Sequence, residues 1–343
     1  MNYKIDFRDF HFKQPAGTSR GVYTTRRSWF VTFTEPERPE VVGVGECAPL
    51  PQLSCDDIPD YSEVLSRLCE HVASTGEIDD AMLRPYPSMR FGIETALMDL
   101  YSDNGVFFDT PFTRGEIGIP INGLVWMGSH EEMLVRMEEK INQGFRCVKF
   151  KIGAIDFEQE VGLIRRVRER FSAEEVEIRL DANGAFAPSE AMDKLERLSA
   201  FGIHSIEQPI RQHQWREMAN LCQTSPIPIA LDEELIGVNY LSMKEDLLET
   251  IRPAYIILKP SLHGGVAGTE EWVSLAESRG IGSWMTSALE SNVGLCAIAQ
   301  LAAKLYGCPP SMPQGLGTGM LFTDNISRPI KIMGDQLFFV HST

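Results

Sequence analysis

The chain has 343 residues, 43% apolar and 23% charged, with a formal net charge of −16. That length suffices for one large or two ordinary domains, and the acid excess argues against nonspecific binding to nucleic acid or to an acidic membrane. No run approaches the ~20 apolar residues of a membrane-spanning helix, and the start, "MNYKIDFRDFHFKQ", lacks the basic and apolar regions of a signal peptide. In chain order, "YKIDFRDFHF", "RSWFVTFTE" and "EVVGVGECA" alternate apolar and polar residues as strands do, with a turn-rich "ERPE" between the last two. "DIPDYSEVLSRLCEHVAS" and "PSMRFGIETALMDLYSD" follow with helical spacing, Ile93, Ala96, Leu97 and Leu100 forming one stripe. Strands first and helices after predict a small α+β unit.

From about residue 117 short apolar runs alternate with amphipathic segments. "IPINGLVWM" precedes "SHEEMLVRMEEKINQGF", "RCVKFKIG" precedes "DFEQEVGLIRRVRERF", and "EIRLDANG" precedes "PSEAMDKLERLSAFG". "IHSIEQPI", "IPIALDEEL", "AYIILKP", "GSWMTSALE" and "SMPQGLGTG" continue the series to about eight strands. Eight such units predict a (β/α) barrel rather than an open sheet, and no G-x-G-x-x-G follows an early strand. Seven cysteines, an odd set without a C-x-x-C pair, predict reduced thiols and a cytoplasmic setting.

Strand ends carry the chemistry. "VKFKIG" sends Lys149 and Lys151 to one face by the two-residue period, and "RLDAN" does the same with Arg179, Asp181 and Asn183. "SIEQP" offers Glu207, "ALDEE" offers Asp232 and Glu233, and "IILKP" offers Lys259. The intervals 181 to 207, 207 to 232 and 232 to 259 are 26, 25 and 27 residues, one βα unit each. Taken singly, Lys149 reads as a surface charge, Asp181 as a helix N-cap and Glu233 with Glu234 as an acidic turn. As a set at successive strand ends, in the order Lys, Asp, Glu, Asp, Lys, they predict one site at the C-terminal mouth of a barrel.

Three carboxylates aimed at one spot repel unless a cation lies between them, and hard oxygen ligands favour Mg²⁺. Asp181, Glu207 and Asp232 are therefore the expected metal ligands. A lysine beside that centre is partly desolvated and close to positive charge, which favours its neutral, basic form. The chemistry that suits the set is proton abstraction α to a carboxylate. His204, His213 and His263 show no ligand spacing, and Ser287 and Ser291 lack a nucleophile elbow.

These residues resemble the enolase superfamily in its muconate lactonizing enzyme subgroup, which pairs a lysine base with Mg²⁺. The resemblance implies an N-terminal α+β capping domain over 1–116 and a (β/α)7β barrel over 117–319, with the tail 320–343 packing back on the cap. "GVGECAPLP" (43–51), "RLDAN", "SALES" (287–291) and "GLGTGMLFTDNI" (315–326) are similar to segments of the o-succinylbenzoate synthase family. That resemblance implies a lyase of menaquinone biosynthesis. It would dehydrate 2-succinyl-6-hydroxy-2,4-cyclohexadiene-1-carboxylate through a metal-stabilised enediolate, with Mg²⁺ as cofactor and Mn²⁺ as a substitute.

On this reading Lys151 is the general base, Lys259 acts electrostatically across the ring, and Lys149 tunes Lys151 by like-charge proximity. Glu233 stands behind Asp232 as a supporting acid, and Arg179 and Asn183 face the substrate. Ser287, Gly315 and Gly317 are expected to receive the succinyl carboxylate, and cap segments 17–27 and 47–54 to close over the site. Gln208 departs from the family, which often has a second Glu there. The alternatives are N-acylamino acid racemization or dipeptide epimerization on the same scaffold, and a non-catalytic barrel. Epimerases of the subgroup typically carry D-x-D on the last strand, where this chain reads "PQGLGTG".

Overall fold

The alternating N-terminal segments pair as an antiparallel sheet in the computed structural model, which describes residues 1–18 and 21–341. Its strands are β1 (Asn2–Thr18), β2 (Gly21–Glu35) and β3 (Arg38–Cys47), in that order. One face buries Val31, Phe33 and Cys47 against the apolar stripes of α1 (Tyr61–Thr75) and α3 (Pro87–Tyr101). A single helical turn, α2 (Asp80–Leu83), lies between them, its N-cap Asp79 accepting from Ala81 N and Met82 N. The sheet and α3 touch backbone to backbone: a Cβ on Gly45 would stand 1.8 Å from the Gly92 carbonyl oxygen, so only glycine fits there.

A short β4 (Ile119–Pro120) leads into β5 (Gly123–Val125). Strand and helix then alternate through α4 (His130–Asn142), β6 (Cys147–Lys151), α5 (Phe157–Arg168), β7 (Glu177–Asp181), α6 (Pro188–Ser199) and β8 (Ser205–Glu207). The series goes on with α7 (Trp215–Thr224), β9 (Ile229–Leu231), a 3₁₀ turn (Glu233–Leu235), α8 (Leu241–Ile251) and β10 (Tyr255–Leu258). It ends with α9 (Gly265–Glu277), β11 (Gly282–Met285) and α10 (Asn292–Tyr306). Strands β5 to β11 lie side by side in sequence order, all parallel. Parallel strands between helices are buried on both faces, which is why these segments read as nearly unbroken apolar runs.

The eighth strand is the place where sequence and structure part. "SMPQGLGTG" contributes only Gln314 and Gly315, which bridge Ile121 and Thr286 and so close the ring. Pro313 cannot donate to a ladder, and a 3₁₀ turn already begins at Gly317. The tail divides. Residues 321–324 join the cap sheet beside β1, with Lys13 N donating to Leu321 O at 2.8 Å and Thr323 N to His11 O at 2.9 Å. The hairpin β12 (Ile330–Met333) and β13 (Gln336–Phe339) instead pairs with β4, burying Leu337 and Phe339 in the barrel core. The expected return to the cap is thus confined to a few residues. Among the described residues no helix is long and apolar enough to cross a membrane.

Candidate active site

Parallel register sets the height of each strand-end residue. Lys151 is the Cα partner of Asp181, and Asp181 of Glu207. Alternation then points Lys149 and Lys151 into the ring while Val148, Phe150 and Ile152 pack into the core outside it. Lys149 Nζ lies 3.0 Å from Asp181 and 2.5 Å from Glu207; Lys151 Nζ lies 3.2 Å from Asp181. From the far side, four staves round the ring, Lys259 Nζ lies 2.5 Å from Asp232. Asp181, Glu207 and Asp232 are all buried.

Charge follows geometry. Burial opposes ionisation of Asp181, but Lys149, Lys151 and Lys259 outweigh it and hold the carboxyl below its usual range. Glu207 is pushed up to about 7 by burial and by repulsion from Asp181 and Asp232, although Lys149 pulls the other way. Burial works against the ammonium of Lys149, yet Asp181, Glu207 and Asp232 win and raise its pKa; Lys259 is raised likewise by Asp232 and Glu233. Lys149 and Lys259 are thus each held as ammonium by a carboxylate.

The carboxylates lean on lysines rather than on one point, and among the described residues no three His, Cys, Asp or Glu side chains are grouped to hold a metal ion. The donor set nevertheless fits Mg²⁺. Glu207 Oε1 and Asp232 Oδ1 are buried with no hydrogen-bond partner, hard anionic oxygens in want of a cation.

Above this floor lies a cavity of about 560 Å³, lined by Lys149, Lys151, Asp181, Asn183, Glu233 and Lys259 among others. Asn183 links two of them: Lys151 Nζ donates to its Oδ1 at 2.8 Å, and its Nδ2 donates to Glu233 at 2.9 Å. Glu233 is buried, its pKa pushed up to about 7 by burial and by neighbouring Asp232 and Asp181. Gln208, with φ 39°, accepts from Asp232 N and Glu234 N and donates to Glu234, so it holds the backbone of the fifth strand end rather than the floor.

Of the residues expected to face the substrate, Arg179 is not in the cavity, whereas Asn183, Ser287, Gly315 and Gly317 line it. Arg179 shares a face with Asp181 but sits one pleat deeper, outside the cavity lining. It donates to Glu177 at 2.7 Å and to Pro313 O at 2.8 Å and stacks 4.2 Å from the Trp284 ring centroid. Ser287 lines the cavity, but its hydroxyl donates to Glu290 at 2.6 Å and accepts from Leu289 N. Gly315 N donates to Met285 O, while Gly317 lines the wall. Of the cap segments, Leu50 and Leu53 roof the cavity. Segment 17–27 belongs to the β1–β2 hairpin rather than to a loop, and its residues 19–20 lie outside the described ones.

Sequence reasoning missed Trp126, which follows β5 at the rim with Lys151 Nζ 5.9 Å from its ring centroid. The strand-end rule applied to "GLVW" would have found it. It also missed His263, whose Nδ1 accepts from Lys259 N at 3.0 Å, and no spacing signals that.

Comparison with known proteins agrees with this geometry. Residues 132–312 match the "Enolase C-terminal domain-like" family model, and residues 19–100 match "MenC, N-terminal domain". The o-succinylbenzoate synthase of Desulfotalea psychrophila is 46% identical over 96% of each chain. The crystal structure of MenC from that organism superposes with a TM-score of 0.82 at 41% identity, covering 98% of this chain and 99% of that one. The L-Ala-D/L-Glu epimerase of Bacillus subtilis is 27% identical over 63% of this chain and 59% of its own. An o-succinylbenzoate synthase from Thermosynechococcus elongatus, complexed with Mg in its active site, shares the fold at a TM-score of 0.73 and 22% identity, covering 95% of this chain and 96% of that one. With strand-end lysines and carboxylates in place and a relative this similar over nearly its whole length, the chain belongs to the o-succinylbenzoate synthase family of the enolase superfamily.

Proposed function

We infer that this chain is a hydro-lyase that converts 2-succinyl-6-hydroxy-2,4-cyclohexadiene-1-carboxylate to 2-succinylbenzoate in menaquinone biosynthesis. One observation carries the reading: Lys151 and Lys259 enter a single cavity from opposite staves, over the carboxylates of the strands between them.

Asp181, Glu207 and Asp232 would hold Mg²⁺, with Mn²⁺ able to replace it, and the ion when bound supplies positive charge for the substrate carboxylate. Lys151, positioned by Asn183, removes the proton α to that carboxylate. Lys259, fixed through its backbone by His263, places a second positive charge across the ring. The C–O bond at carbon 6 then breaks, and Lys151 returns the proton to the departing oxygen as water. The ring becomes aromatic, so the product side is strongly downhill. Lys149 keeps its charge between Asp181 and Glu207 and holds the metal ligands in place. Seven free cysteines support a reducing, cytoplasmic setting.

The test is turnover of the cyclohexadiene substrate, followed by ultraviolet absorbance with Mg²⁺ and then with excess EDTA. Rapid conversion that EDTA abolishes is the expected result. Absence of conversion with the metal supplied would sink the reading. Opposed lysines also suit proton exchange at a carbon α to a carboxylate, as in an epimerase, so deuterium uptake by N-acylamino acids and dipeptides would be measured next.

A further inference from the structure

The turn that follows Lys259 and the loop that follows β11 meet at one acid. Glu290, fully buried, accepts from the hydroxyl of Ser261 through Oε1 and from that of Ser287 through Oε2, the latter at 2.6 Å. Ser261 stands two residues beyond Lys259, in a turn closed by Leu262 N and His263 N donating to Lys259 O at 2.8 and 3.0 Å. Glu290 therefore grips this turn from the neighbouring strand end, while His263 Nδ1 holds Lys259 N from within it. Between Ser287 and Glu290 lies Leu289 at φ 67°, a left-handed backbone that a leucine keeps only where its surroundings fix it. Leu289 N donates to Ser287 Oγ at 3.1 Å, so the hydroxyl that serves Glu290 also holds the strained residue.

A carboxylate withdrawn from water needs more than two neutral hydroxyls. The positive charge set against it comes from the cap. Arg26 of β2 is 3% exposed; its Nη2 donates to Ala48 O at 2.7 Å, whereas Nε and Nη1 have no partner. Burial lowers its pKa, and Glu290, then Glu46, are the carboxylates that act against burial. A Cβ on Gly294 would stand 2.8 Å from Glu290 Cβ and 3.1 Å from Glu46 Oε2, so the two acids flank one turn of α10. Glu46 has the N–H groups of Ser291 and Gly294 there, whereas Glu290 has hydroxyls alone among the described residues. Leu50 of the cap packs with Leu262, Ala288 and Leu289 of the barrel beside them, a small apolar cluster that spans the two domains.

We propose that Glu290 is a positioning residue for Lys259 and that Arg26 supplies its counter-charge from the cap, so that the aim of Lys259 depends on the seating of the cap. Lys259 acts by charge across the ring. A loosened turn is therefore felt where charge develops, in the transition state, and little in ground-state binding. This kinetic consequence rests on the dehydratase reading; the tie between the two strand ends does not.

Ser261→Ala cuts the tie and leaves Lys259, His263 and the carboxylates of the floor in place. Its kcat is expected to fall at least about 10-fold at nearly unchanged KM, and amide hydrogen exchange in the 259–263 turn to quicken. Unchanged kcat, or a rise in KM alone, overturns the positioning role. Urea denaturation of Arg26→Met, Glu290→Gln and the double variant tests the charge pair. Arg26→Met strands a buried carboxylate, so its urea midpoint should drop, and adding Glu290→Gln should raise it again; additive losses overturn the counter-charge. If Arg26→Met does not fold, a folded double variant supports the pair and an unfolded one overturns it. Wild type that leaves the cyclohexadiene substrate unconverted refutes the dehydratase reading. Hydrogen exchange then judges the tie by itself, and a rate that Ser261→Ala does not change means the tie is wrong.

Discussion

Lys151 has three close partners and only one of them is charged: Asp181 below it, Asn183 beside it and the Trp126 ring facing it. A base held that way is expected to be irreplaceable. Lys151→Ala should lower kcat at least ~10³-fold, the upper range of general base catalysis, with an unchanged circular dichroism spectrum; near wild-type turnover would dismiss its role. Another acid adds a pH dependence to the stability of the cap. Asp56 accepts from Ser88 N and Oγ at 2.8 and 2.6 Å, and burial pushes its pKa up to about 6. Its folded pKa is raised, so its stabilising contribution is complete below the unfolded value near 3.8 and is lost as pH rises through about 6. At roughly 1.4 kcal/mol per decade of proton affinity the difference is about 3 kcal/mol. Urea denaturation between pH 4 and 8 should show a fall of that order, flattened in Asp56→Asn. Single residues also mark where the sequence stops being readable. The strand period told that Arg179 and Asp181 share a face, but not that one pleat of depth separates a cavity wall from the packed interior under it.

At the scale of elements, the cap is fastened by two of its own carboxylates to the starts of two barrel helices. Glu46 of β3 accepts from Ser291 N, Ser291 Oγ and Gly294 N at the head of α10, at 2.9, 2.6 and 2.9 Å. Glu94 of α3 accepts from Val266 N at the head of α9 at 2.5 Å while pairing with Arg90 at 2.7 Å. Both helices follow strands whose ends form the cavity, those of Lys259 and Ser287. Removing Glu46 leaves buried donors unmet, at about 1–3 kcal/mol for each. Glu46→Ala is therefore expected to lower unfolding free energy by at least about 3 kcal/mol and to reduce turnover along with it; a stable, fully active variant would show that the fastening is dispensable. None of this was visible in the chain as read, because a glutamate on a predicted strand carries no mark of the helix it will meet some 250 positions later. The barrel strands were legible for the opposite reason. Burial on both faces writes itself as a local apolar run, whereas the eighth strand borrows its pairing from neighbours and left only "PQG" behind.

The whole molecule joins an acidic chain to a site whose acids are balanced by its own lysines. Mg²⁺ binding only the folded form should stabilise it by about 2.7 kcal/mol at a free concentration one hundred times Kd. Differential scanning fluorimetry is expected to show a Tm that climbs with Mg²⁺ and returns with EDTA. Asp232→Asn should blunt the response, and a Tm indifferent to Mg²⁺ would remove the carboxylates from the role of ligands. One feature of the fold reaches further than the finished protein. β1 is the outer strand of the cap sheet, and its open side is covered at His11–Lys13 by residues 321–324. A ribosome makes the sheet first and its cover last, so the cap waits through the synthesis of the entire barrel with that edge bare to other nascent chains. A message truncated just short of codon 321 would lose that cover together with the β12–β13 hairpin that buries Leu337 and Phe339 in the barrel core, and would yield a protein prone to sticking to itself.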